Sequence, residues 1–476
     1  MGQLLLLSAI PLILAFLSLA AADERSVRRI VAAMLWAQIA VVGWFVAPLL
    51  LGAQTLLSFA PDFCLDRLGA CFVMLTTTVV ACAATHADTF FAGEAEHGHI
   101  HNPAHFKIFY ACLNMFLLAM SAVFICDNLG YIWISVEATT LFSAPLVYFD
   151  RTKNALEATW KYLIICSVGI AFALLGTVFV FASSQHGAIV QGSLNITKLV
   201  AHASELDYSL LRLGFIFCLL GYGTKAGIFP LHSWLPDAHS EAPAPASAML
   251  SGALLNCALF GIWRVSRIVV ASHHHAFAYE MVTVLGTLTV VAAAIFLIRQ
   301  HSFKRMWAYS SIENVGLILV AIGIGSGALF FLQALNHSLA KVALFLLSGN
   351  IAQAAGSKRL HDLHGVWKAS PPLGLLLALA ALAVTGAPPF GAFVSEMLIF
   401  QSSATPAHWL VATLLVVAVA IAFVAVMTHV GRILLGGAKA DFRAFKPVLA
   451  SLVPGALVIG SLVMGVFAHP RFWEGL

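Results

Sequence analysis

Charge is what this sequence has least of. Its 476 residues include 25 Lys or Arg and 21 Asp or Glu, while 61% are hydrophobic. Apolar runs of about twenty residues follow one another almost end to end, which excludes a soluble globular fold and marks an all-α polytopic membrane protein. The net charge of +4 is spread over short loops, without a basic patch or a stacking-aromatic motif. Nucleic acid is therefore not expected as a partner, whereas the lipid bilayer is. The sequence also has no C-x-x-C. Its eight cysteines (Cys64, Cys71, Cys82, Cys112, Cys126, Cys166, Cys218 and Cys257) are scattered through apolar stretches. They read as small packing residues, so no redox centre, cofactor or metal site is expected.

The first apolar run, MGQLLLLSAIPLILAFLSLAA, lacks a basic segment before it, and Arg25, Arg28 and Arg29 come after it. It reads as a retained helix rather than a cleaved signal. Cutting at charged and Pro/Gly-rich breaks gives about fourteen spans, near 3–21, 30–51, 65–87, 107–126, 129–149, 159–183, 210–229, 244–267, 278–298, 306–325, 328–350, 372–401, 408–435 and 447–468. Placing the N-terminus outside collects most of the basic residues in the inner loops, among them Arg28, Arg29, Lys153, Arg299, Lys304, Arg305, Lys358 and Arg359. The positive-inside rule thus puts both termini outside a bacterial or archaeal inner membrane.

Against this background four ionisable residues lie within spans: Glu137 in NLGYIWISVEATTLF, Lys225 in GTKAGIFPLHSWLPDAHSEAPAPASAMLSG, Lys341 in NHSLAKVALFLLSGN and Glu396 in GAPPFGAFVSEMLIF. Each costs about 2.5–3.5 kcal/mol at mid-bilayer on insertion scales, which makes each a functional candidate. Two carboxylates and two amines suit proton transfer, since burial moves both kinds of group toward neutrality. A static ion pair fixing helix register is the alternative for Glu137 and a lysine. His232 and His239 flank the end of the seventh span, and His337 lies one turn before Lys341; histidine is the residue best suited to exchange protons near neutral pH. Lys161 reads as an interfacial side chain or an accessory charge, and Glu313 as a proton-access group or a packing contact with the basic 299–305 loop. Pro230 and Pro388–Pro389 interrupt the seventh and twelfth spans near charged residues. Broken helices in the two halves point to inverted repeats around a central site.

The segment from Gly223 to Gly252 closely resembles the seventh-to-eighth helix signature of the antiporter-like subunits of respiratory complex I, multi-subunit cation/proton antiporters and membrane-bound hydrogenases. The stretches MWAYSSIENVGLI, NHSLAKVALFLLSGNI and GAPPFGAFVSEMLIF look most like component F of hydrogenase-4 and formate hydrogenlyase-2 complexes. The resemblance runs from Asp127 to about Gln401. It implies fourteen helices with two inverted five-helix repeats, helices 4–8 and 9–13, and a hydrated polar axis. The corresponding divisions are residues 1–106, 107–270, 271–436 and 437–476. It also implies proton-translocation roles for Glu137, Lys225, His239, His337, Lys341 and Glu396, with Lys225 paired to Glu137. Asn256 stands where many relatives carry a lysine. The implied partners are other membrane subunits and a peripheral redox arm such as a nickel-iron hydrogenase or a formate dehydrogenase. A cation/proton antiporter subunit, or an inorganic-carbon pump subunit, is the competing expectation, and a structural anchor with a degenerate channel is a third.

Other features are set aside. EHGHIHNPAH (Glu96–His105) and the His273–His275 run read as solvated loops rather than metal sites, and Gly223 with Gly227 reads as a small-residue face for helix packing.

Overall fold

The computed structural model describes residues 2–20, 24–96, 102–185, 192–406, 408–435 and 447–467. Nearly every described element is helical, in the order α1 (Gly2–Ala20), α2 (Glu24–Leu50), a hairpin of β1 (Leu56–Ala60) and β2 (Phe63–Asp66), α3 (Arg67–Glu96), α4 (Pro103–Ile125), α5 (Leu129–Val147), α6 (Lys153–Ser183) and the short α7 (Ile196–Ala201). Next come α8 (Tyr208–Ala226), α9 (Trp234–Glu241), α10 (Ala244–Met249), α11 (Leu255–Ala271), α12 (His275–Leu297), α13 (Phe303–Gly323) and α14 (Gly327–Ala355). The chain closes with α15 (Val366–Ala369), α16 (Pro371–Val384), α17 (Gly391–Ser403), α18 (Trp409–Leu435) and α19 (Pro447–Phe467). Each of the fourteen apolar segments contains helix, and ten of the described helices are long and apolar enough to cross a membrane. The sequence boundary at 106/107 cuts into α4, which starts at Pro103 behind its Asn102 cap. The 97–101 part of the His-rich loop lies outside the described residues.

The layering is that of a protein whose solvent is lipid. Outward faces of the peripheral helices carry Phe16, Leu17, Trp160, Ile164, Val168, Val417 and Val424, all exposed. Polar side chains are instead gathered inside, mostly on α8, α9, α11, α13 and α14, where Lys225, His239, Asn256, Asn314, Gln333, His337 and Lys341 are buried. Water would favour the reverse arrangement, and hydrocarbon favours this one.

Two interruptions dominate the inner layer. After Ala226 the chain leaves the helix through Gly227 in the left-handed conformation (φ 78°), whose N–H reaches the Gly223 and Thr224 carbonyls. Pro230 then denies a further backbone donor, and the helix resumes as α9 at Trp234. The second break separates α16 from α17 across Thr385–Phe390, again at prolines, with Gly386 left-handed (φ 66°). Gly223 and Gly227 thus end a helix rather than forming a packing face: Gly227 supplies the positive φ, and a Cβ on Gly223 would strike Ile228 of the same turn. A third irregularity is a π-helical turn, Leu250–Leu254, joining α10 to α11.

Close helix packing falls to other glycines. A Cβ on Gly176 of α6 would stand 2.6 Å from the Cys218 backbone nitrogen and 2.7 Å from the Gly214 carbonyl oxygen of α8. Backbone sits against backbone there, so nothing can yield. Gly176→Leu is expected to destabilise the protein by about 1–3 kcal/mol or more, seen as lost monodisperse protein in detergent chromatography and a lowered melting temperature. Gly431→Leu on α18, where a Cβ meets nothing within 4 Å, should leave both unchanged.

Candidate functional site

Lys225 occupies the last turn of α8, where carbonyls without intrahelical partners favour a cation. Its ammonium is fully buried and donates to Thr140 Oγ1 at 2.5 Å and to the Tyr162 hydroxyl at 2.9 Å, standing 4.9 Å from the Tyr162 ring centroid. Trp234, at the start of α9, fixes this corner: its indole donates to the Thr224 carbonyl at 2.8 Å and its ring tilts against Tyr162. Glu137 on α5 is half-buried and accepts from Ser167 Oγ at 2.9 Å and from Thr140 Oγ1 at 3.4 Å. Thr140 therefore stands between carboxylate and ammonium, so the two charges are joined through one hydroxyl rather than in direct contact. Ser143, bonded to Tyr162 at 2.6 Å, completes the cluster.

A second cluster surrounds Lys341 on α14. Its Nζ donates to the Trp307 carbonyl at 2.9 Å and lies 5.6 Å from the Trp307 ring centroid. The same carbonyl accepts from Ser311, whose hydroxyl pairs with Ser251 on the π-helical turn at 2.8 Å. At this turn the Gly252 carbonyl accepts from Ser338 Oγ (2.7 Å) and Asn256 Nδ2 (3.1 Å). Asn256 Nδ2 donates to Ser338 as well, at 3.1 Å, tying α11 to α14, while its Oδ1 has no partner among the described residues.

The third cluster joins α13, α14 and α17. Asn314 donates to Glu313 Oε2 (2.8 Å) and accepts from Gln333 Nε2 (3.0 Å), and Gln333 accepts from Ser395 Oγ (2.5 Å), which in turn accepts from Asn336 Nδ2 (3.1 Å). Ser395 adjoins Glu396, whose buried carboxyl packs against Gly386, where a Cβ would overlap it. Glu396 Oε1 has no partner among the described residues. Glu313 sits halfway along α13, buried beside these groups rather than at the basic 299–305 loop.

Two further histidines, His239 on α9 and His337 one turn before Lys341 on α14, are buried. His239 stacks on Phe345 at 4.8 Å, and neither its ring nitrogens nor those of His337 have a hydrogen-bond partner among the described residues. Buried polar atoms are rarely left so. The remaining candidates lie apart. Lys161 is half-exposed and held by Glu157 (2.6 Å) and Asp237 (3.3 Å), with Arg305 on the other side of Asp237 (2.8 Å). His232 packs among Phe229, Phe296 and Tyr309.

Sequence reasoning missed Thr140, Tyr162, Ser251, Ser311, Asn314, Gln333, Ser338 and Ser395. A trace existed for some of them: buried hydroxyl and amide residues at one-turn spacing from a charge, as Thr140 is from Glu137. Removing the Thr140 hydroxyl by Thr140→Val should cost about 1.5–3 kcal/mol, the range for a hydrogen bond to a charged group. Thr140→Ser should cost much less, and thermal unfolding in detergent would separate them.

Comparison with known proteins places residues 126–422 within the family described as NADH:quinone oxidoreductase/Mrp antiporter, TM. The hydrogenase-4 component F homolog of Methylacidiphilum infernorum is 37% identical over 417 residues, 87% of each chain. A chain of the archaeal membrane-bound sulfane sulfur reductase superposes with a TM-score of 0.86 at 22% identity, over 98% of this chain and 95% of that one. A chain of the Mrp complex from Dietzia sp. gives 0.85 at 19% identity, over 99% and 96%; at these identities the likeness is one of fold.

Proposed function

This chain belongs to the NADH:quinone oxidoreductase/Mrp antiporter family of membrane subunits, and from that premise we propose that it carries protons for a hydrogenase-4-like redox complex. The observation that supports this most directly is the set of ionisable and polar groups held inside an apolar chain, Lys225, His239, Asn256, His337, Lys341 and Glu396, with Glu137 joined to Lys225 through Thr140; in this proposal they form an axis from Glu137 and Lys225 to Glu396. Relatives of this chain work as parts of multi-subunit membrane assemblies, so other membrane subunits are partners. A peripheral redox arm, nickel-iron hydrogenase or formate dehydrogenase, drives the protein from outside its own fold. The fourteen helical segments are taken as spans of an inner membrane with both termini outside, and the breaks after α8 and α16 as the centres of two inverted repeats, within 107–270 and 271–436.

Chemically, the Lys225 ammonium has two stable settings. With Thr140 and Tyr162 as its ligands it stands off Glu137; a small movement of its flexible stem past Thr140 brings it onto the carboxylate. In a dry interior the second setting holds the proton more tightly, because attraction between opposite charges grows as the dielectric falls. Opening the pair releases the proton toward the middle of the axis. There the unpartnered nitrogens of His239 and His337 and the free Oδ1 of Asn256 are groups that ordered water satisfies in protein interiors. Asn256 cannot titrate, so it orders water while the histidines and Lys341 carry charge. Glu396, beyond the double-proline break, is the exit carboxylate, with Glu313 as its buried neighbour. Lys161, held by surface ion pairs, and His232, packed among aromatics, have at most accessory parts.

Redox-driven proton uptake by sealed membrane vesicles carrying the assembled complex tests this reading. Glu137→Gln should lower uptake about tenfold or more with assembly and electron transfer retained, and normal uptake in an assembled variant would remove the switch. Glu396→Gln should block uptake more than Glu396→Asp. Asn256→Leu should interrupt it while Asn256→Lys is partly tolerated. Uptake that follows a sodium gradient rather than the redox reaction would favour the antiporter reading that the family description also includes.

A further inference from the structure

Lys304 is counted by sequence among the basic residues of an inner loop, yet the structure buries it. It is the second residue of α13, only 6% exposed, and its Nζ donates to the carbonyl of Ala242, which is wholly buried at the end of α9. A long cationic side chain at a helix end ordinarily reaches out to water. This one reaches in.

Its surroundings give the reason. Lys304 lines a cavity of about 390 Å³, large enough for many waters, whose wall includes Glu94 from the end of α3, Asp150 from the turn after α5, and Gln353, Ser357 and Lys358 from the end of α14. Glu94, Asp150 and Glu241 are the carboxylates whose charges act on the ammonium, with Lys358 as the opposing cation. The cavity lies at the ends of helices whose loops carry Arg299, Arg305, Lys358 and Arg359, the face rich in positive charge. On the far side of Lys304 lies the polar axis. The Ala242 carbonyl also accepts from Ser247, which donates in turn to the His239 carbonyl at 3.0 Å. The ammonium groups of Lys304 and Lys341 both repel a cationic His239 ring, so that a proton reaching it is not retained there, and its two nitrogens have no partner among the described residues. Cavity, lysine, histidine and lysine thus follow one another from the basic face to the centre.

We propose that Lys304 is the gate between this aqueous cavity and the axis, exchanging protons between the basic face and His239. The inference rests on the proton-carrying reading above. Its step balances without electrons: neutral Lys304 takes a proton from hydronium that enters the cavity from the bulk, guided in by Glu94 and Asp150, leaving water behind, and becomes the ammonium held by the Ala242 carbonyl. Transfer to a His239 ring nitrogen then regenerates the amine and leaves an imidazolium, which passes its proton toward His337 and Lys341. The access route enters the middle of the axis, at α9, independently of the Glu137–Lys225 pair.

The test uses the assembled complex in sealed vesicles, following redox-driven proton uptake together with the electron-transfer rate and the amount of assembled complex. Lys304→Arg keeps a cation able to bond the Ala242 carbonyl but does not release its proton; Lys304→Met removes both. Uptake should fall about tenfold or more in both variants. Restoration to the wild-type rate by Lys304→Arg would mean a merely structural contact and overturn the gate. Ser357→Cys supplies a check that leaves Lys304 intact: a bulky membrane-impermeant thiol reagent applied on the basic face should cut uptake several-fold, and on the opposite face should not. Complete modification without inhibition would also overturn it. Wild-type vesicles that move no protons would instead remove the underlying reading.

Discussion

An ammonium inside an apolar helix bundle has to be given ligands by its neighbours, and much of this structure is arranged around two such groups. Water would supply three hydrogen bonds to each; hydrocarbon supplies none. Lys225 finds its ligands at a helix end, where carbonyls without intrahelical partners already favour positive charge, and in two hydroxyls from α5 and α6. Lys341 lies in mid-helix, so the α13 backbone comes to it through the Trp307 carbonyl. Each solution demands close approach of several helices. Beside Lys225 that approach needs glycine: a Cβ on Gly169 of α6 would strike Thr224, and one on Gly221 of α8 would strike the Ala173 backbone.

The same constraint explains the helix breaks. A proline-interrupted helix loses backbone bonds and exposes polar groups, which is costly in lipid and useful only where those groups face protein or water. Both breaks sit next to a buried charge: Lys225 immediately before the first, Glu396 one turn and a half beyond the second. A cation stands at the negative end of one helix and a carboxylate in the opening turns of the other. On the π-helical turn the Gly252 carbonyl gathers two side-chain donors, Asn256 and Ser338, from α11 and α14.

What could be read from sequence follows from this economy. Charges in apolar runs stand out because lipid makes each one costly, so Glu137, Lys225, Lys341 and Glu396 were legible, as were the breaks that prolines announce. Thr140, Tyr162 and Gln333 were not. Hydroxyls and amides sit cheaply in helices, and their partners lie far off in the chain; Thr140 and Lys225 are 85 residues apart. Lys304 escaped for a different reason. Its sequence context is a basic loop, and only the inward course of its side chain, toward a cavity assembled from α3, α5, α13 and α14, distinguishes it from Arg299 or Arg305. Gly223 and Gly227 misled because a spacing of four describes both a packing face and a helix ending, and the sign of φ that separates them is not written in the letters.

The hydrogen-bonded clusters differ in what they permit. Around Lys225 the ligands are hydroxyls, which both donate and accept and can re-form as the ammonium moves. Around Glu313 and Ser395 the links are Asn314 and Gln333, whose amides hold fixed donor and acceptor ends. An amide does not readily pass a proton along such a chain, so the third cluster holds Glu313 and Ser395 in place rather than linking them by a proton path.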